Sequence, residues 1–166
     1  MKYPIEKIQG REVIDSRANP TVEATVTIEF GETGTAAVPS GASTGQFEAI
    51  ELRDGDMARF DGKGVQKAVN NVNDAIFKAL EGQDSSDIYN IDNIMLSLDG
   101  TKDNSNLGAN AILADSLPCA HAASKANDIP LYKFLGGINA TTLPVPMKNI
   151  LTAGAHAATH IEYRSS

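Results

Sequence analysis

The chain has 166 residues, 42% of them hydrophobic, which is enough for one domain with a core and too apolar for a disordered or fibrous chain. Its formal net charge of -7 excludes a broad electrostatic footprint for nucleic acid or an acidic membrane, because no cluster of Lys and Arg offsets the repulsion of phosphate. No apolar run approaches the ~20 residues that span a bilayer, the start Met1-Lys2-Tyr3-Pro4 lacks the apolar core of a signal peptide, and the single Cys119 can form no intrachain disulfide. A cytoplasmic protein with Cys119 as a small packed side chain is the expectation.

In chain order, residues 5–14 predict a first strand, with Gly10 as the place for a bulge. Residues 21–30 predict a second, half-buried strand, because Val22, Ala24, Val26, Ile28 and Phe30 alternate with Thr and Glu. Gly31-Glu32-Thr33-Gly34 has the chemistry of a hairpin turn, and residues 35–38 return as a shorter strand that Pro39 ends. The period then changes. Val65, Ala68, Val69, Val72, Ile76, Ala79 and Leu80 recur three and four apart, the stripe of a helix buried on one side. A second helix is expected over 87–98, behind Ser and Asp caps and ahead of Asp99-Gly100. A third is expected from about Asn106 through the alanine-rich run to Ala126, and a short one over 130–135, after the Asp128-Ile129-Pro130 break. Strands first and helices afterwards make an α+β domain over 1–137. Residues 138–143 read as a linker, and 143–151 as an apolar strand that enters something new.

Between the strands and the helices, Val38 to Asp56 combines a hydroxyl-rich, glycine-flanked loop with a dense charge cluster. Gly41 and Gly45 free the backbone, and Ser40, Ser43 and Thr44 offer oxygens to a hard cation or hydrogens to a phosphate. Such a loop is also an ordinary surface turn in most proteins. Glu48, Glu51, Arg53, Asp54 and Asp56 invite a catalytic reading but fit an anchoring ion-pair network better. Arg11, Glu12, Asp15 and Arg17 are weighed the same way, as structural or interface charges with no proton-transfer role.

Ordered blocks carry a resemblance. They are residues 11–17 with 19–23, then 38–56, 62–65, 108–113, 130–132 and 144–147, and together they resemble enolase, the lyase that interconverts 2-phosphoglycerate and phosphoenolpyruvate. The resemblance implies a three-stranded antiparallel meander followed by about four helices, capping a barrel domain. It implies Mg²⁺ as cofactor, with Ser40 in the place of the loop serine that meets the second ion. It places His156 at a second loop that approaches the substrate phosphate.

The family's lysine base, glutamate acid and three metal-binding carboxylates have no counterpart in these 166 residues. Residues 144–166 are therefore expected to be a truncated or degenerate remnant of the first barrel strand, and the chain alone is expected not to catalyse. Thr152-Ala153-Gly154 stands where the family has Asn-Gly-Gly. An alternative expectation is a non-catalytic binding or regulatory module that associates with full-length enolase, or with itself. Upstream, Asp115 and Pro118 fall inside the alanine-rich helix where the family is apolar, and Ala18 replaces a turn glycine. His156, His160 and Glu162 lack the pattern of a zinc protease helix.

Overall fold

The computed structural model describes residues 2–41, 45, 47–147 and the strand residues 151–152 and 162–163. Strands β1 (Ile5–Ile14), β2 (Pro20–Ile28) and β3 (Thr33–Ala37) form an antiparallel meander in the order β1-β2-β3. The alternation in β2 is realised: Val22, Ala24, Val26 and Ile28 are all fully buried. Phe30 departs from it. The turn begins after Ile28, with the Gly31 N–H donated to the Ile28 carbonyl, so Phe30 falls past the strand end and lies exposed.

In β1 the irregularity sits between Ile5 and Lys7 instead of at Gly10, which pairs regularly with Ala24. The extra residue shifts the side-chain phase, which is how Ile5 and Ile8, three apart, both reach the core. Gly10 is there for close approach: a Cβ on it would lie 2.6 Å from Cγ1 of Val72.

The helical stripe of 65–80 is also realised, in three pieces. Helix α1 (Gln66–Asn71) passes through a π turn over Val72–Ile76 into α2 (Phe77–Leu80), and Val65, Ala68, Val69, Val72, Ile76 and Leu80 are buried. The π turn presents Asn73 to the sheet, where its amide accepts from the Gly10 N–H at 2.8 Å and donates to the Gly10 carbonyl at 3.0 Å. One side chain thereby pairs a stretch of the outer edge of β1.

Helix α3 (Ile88–Asp99) starts at Asp87, whose carboxylate accepts from the Asn90 N–H, and ends at Gly100. Helix α4 (Ala109–Ala126) begins three residues later than expected, because Asn106 and Leu107 are held in the preceding loop by Asp99. It packs across β2 and β3 and continues through Pro118 without breaking. The packing is tight at Gly34, where a Cβ would collide with the Pro118 carbonyl and stand 2.6 Å from the Ala122 nitrogen.

Helix α5 (Leu131–Gly136) and a 3₁₀ turn, Gly137–Asn139, follow. Of the apolar strand expected over 143–151, residues 143–147 form no strand, and Leu143, Val145 and Met147 are exposed. Strand β4 (Leu151–Thr152) pairs antiparallel with β5 (Glu162–Tyr163).

Candidate functional site

Two anchors hold the ends of the 38–56 segment. At its start, Val38 donates to the Val22 carbonyl and is itself buried, continuing the β2–β3 pairing, and its own carbonyl accepts from the Thr21 hydroxyl at 2.6 Å. At its end, residues 50–52 are fastened to the start of α4. Ala109 donates to the Ile50 carbonyl, and the Asn110 side chain both accepts from the Leu52 N–H at 3.0 Å and donates to the Leu52 carbonyl at 3.1 Å.

The charges beside the loop hold backbone. Arg53 donates to the Pro20 and Lys63 carbonyls and to Glu51, whose other oxygen accepts from the Gly41 N–H. Asp54 accepts from the N–H groups of Gln66 and Lys67, and Glu12 from that of Val65, so two carboxylates satisfy the open donors at the start of α1. Arg59 pairs with Glu12 and approaches Asp54. Its hydrogen bond pulls the Glu12 carboxyl below its ordinary value, against the opposing effect of burial. Asp56 accepts from the Ala58 N–H, and Arg11 pairs with Glu23 across β1 and β2. Glu51, Arg53, Asp54, Asp56, Arg11 and Glu12 thus anchor the fold as read, whereas Glu48 is exposed and lines the cleft.

Ser40 lies at the lip of an open cleft of about 550 Å³ whose lining includes Arg17, Asn19, Glu51, Arg53 and Lys63. Its hydroxyl donates to Asp15 Oδ2 at 2.9 Å and accepts from Arg17 Nη2 at 2.9 Å, and the same guanidinium nitrogen donates to the Ser40 carbonyl at 2.6 Å. Asp15 also accepts from the N–H groups of Arg17 and Asn19. The Asn19 contact, with help from Ser40 and despite some desolvation, lowers its carboxyl below the usual aspartate value. The two oxygens of Ser40 and Oδ2 of Asp15 thus lie around one guanidinium, and oxygen donors of this kind suit Mg²⁺. Among the described residues no group of three His, Cys, Asp or Glu side chains could hold a metal by itself.

His156, Ser43 and Thr44 lie outside the described residues, as does His160. Arg17 and Asn110 were not legible as partners of the loop, because each acts through a contact between residues 23 or 58 apart in sequence.

Asp115 lies inside α4. It is fully buried, neither carboxylate oxygen has a hydrogen-bond partner among the described residues, and burial raises its pKa well above the ordinary value. Cys119, one turn on, is buried as expected. Burial and the nearby Asp115 and Asp92 carboxyls push its thiol up, which makes it an inert packing group.

A three-stranded antiparallel meander followed by helices defines an α+β domain, with Ser40 at the lip of its cleft. The family model for the enolase N-terminal domain matches residues 5–135, and the chain belongs to that family. No helix among the described residues is long and apolar enough to cross a membrane.

Proposed function

We propose that this chain is the loop-bearing cap of an enolase-type lyase, a cytoplasmic, glycolytic, Mg²⁺-dependent activity that interconverts 2-phosphoglycerate and phosphoenolpyruvate. Ser40 supplies a cation contact and His156 a contact to the substrate phosphate. The observation that carries this reading is Ser40 itself, held at the cleft lip by Asp15 and Arg17 within a chain of that family. The ion, when bound, neutralises the charge of a carboxylate-bearing substrate. The cap's own part is to position Ser40 and to hold the flanking backbone through Asn110, Arg53 and Glu51.

Of the two carboxylates that line the cleft, Glu51 is tied to Arg53 and Gly41, and Glu48 is exposed. Because the family's lysine base and glutamate acid have no counterpart in these 166 residues, we expect the chain alone not to turn over. Purified chain mixed with 2-phosphoglycerate and Mg²⁺ should form no phosphoenolpyruvate by ultraviolet absorbance, and sustained turnover would reject this.

A second reading is a non-catalytic module that binds full-length enolase or a second copy of itself. It is favoured by the apolar side chains exposed along one stretch, namely Tyr132, Leu135, Ile138, Leu143, Val145 and Met147. Co-elution with enolase at micromolar concentration, or binding of a hydrophobic dye with self-association, supports it. A dye-negative monomer that ignores enolase sinks it.

A further inference from the structure

We infer that Arg17 acts as a built-in cation on the oxygens of Ser40, so that a divalent metal reaches Ser40 only by displacing the guanidinium. The inference rests on the proposed cation role of Ser40 and adds a positioning residue to it. Both Ser40 oxygens already accept from Arg17 Nη2, at 2.6 Å for the carbonyl and 2.9 Å for the hydroxyl. The only hydrogen of that hydroxyl goes to Asp15 Oδ2 at 2.9 Å, and Arg17 Nε stands 3.9 Å from the same carboxylate oxygen. Arg17 therefore contacts each of the three oxygens that would otherwise face a hard cation.

A cation that bridged both Ser40 oxygens would have to sit on the side of them that Arg17 Nη2 now faces. An octahedral ion that bridged both oxygens at ~2.1 Å would overlap the guanidinium nitrogen that donates to both. Like charges so close in a half-exposed cleft also repel. Arg17 is well suited to leave. Its side chain is 45% exposed whereas that of Asp15 is 15% exposed, so the guanidinium has solvent to move into and the carboxylate does not. Asp15 is further fixed by the N–H groups of Arg17 and Asn19, which hold it in place whether or not the Arg17 side chain stays.

The probe is Mn²⁺, an oxygen-seeking divalent ion whose free aquo form is read directly by electron paramagnetic resonance. Titrated into the 166-residue chain, it should bind the Arg17→Gln variant at least about tenfold more tightly than the unmodified chain, and adding Ser40→Ala to that variant should abolish the gain. Equal affinity in the first pair, or a gain that survives Ser40→Ala, overturns the inference.

A metal-free arm keeps it falsifiable if Arg17→Gln folds poorly. In EDTA, Ser40→Ala alone should lower the thermal midpoint by several degrees, since it removes both hydroxyl hydrogen bonds of the latch. An unchanged midpoint means that no latch exists. Neither arm reads catalysis, so failure of the lyase reading in the turnover assay is distinguishable from failure of the latch.

Discussion

Replacing Asp115 by Val should stabilise the protein by an amount that grows with pH. The carboxyl is fully buried with both oxygens unpartnered, so even its neutral form carries the cost of an unpaired buried polar group, about 1–3 kcal/mol in protein mutational data. Burial raises its pKa in the fold, so the native state binds a proton that the unfolded chain releases above the ordinary aspartate value. Stability contributed by this group is therefore greatest below pH ~4 and falls by about 1.4 kcal/mol per pH unit until the folded-state pKa is passed.

The gap between variant and parent should be about 2 kcal/mol at pH 4 and about 3–4 kcal/mol at pH 5. At about 3 °C per kcal/mol for a domain of this size, the midpoint rises by about 10 °C at pH 5. Urea unfolding followed by circular dichroism from pH 4 to 7 measures it. Asp115→Asn, which cannot ionise but keeps the unpaired polar group, should remove the pH-dependent part and leave the rest. Curves for the parent and Asp115→Val that stay parallel across this range would refute the reasoning, because they would mean that Asp115 has water or a partner when folded.

Ala18 holds a φ of 60°, the left-handed region that a side chain disfavours, in the turn between β1 and β2. Ala18→Gly should raise stability by about 0.5–1 kcal/mol, read as a small rise in the urea midpoint with an unchanged slope. Asp99 behaves oppositely to Asp115. Burial pushes its carboxyl up, but the Leu107 N–H and the Thr101 hydroxyl and N–H outweigh it and hold the group below the usual aspartate value. Its stabilisation is present above pH ~4 and lost as pH falls through the folded pKa. Asp99→Ala should cost about 2–3 kcal/mol at pH 7, with the difference shrinking in acid, since it strands buried donors at the start of α4.

The parts of the fold that were legible are those in which one residue reports on its own neighbours. Alternation in 21–28 and the three-and-four spacing of 65–80 follow from the geometry of a strand and a helix, and both stripes are buried as read apart from Ala79, which is half-buried. Phe30 misled because a turn, not a pattern, decides where a strand stops. The register shift at Ile5/Lys7 was invisible because it depends on which residue of β2 lies opposite. Helix α4 began late because Asp99, seven and eight residues before Asn106 and Leu107, took hold of both.

The sequence by itself determined the meander, the helical stripes, the family and the singling out of Ser40, because strand and helix periods and ordered motif blocks are local properties. Only the tertiary structure decided what surrounds Ser40. The contacts of Arg17 and Asp15 with it join residues 23 and 25 apart, and they form only once the turn after β1 and the end of β3 are brought together by strand pairing.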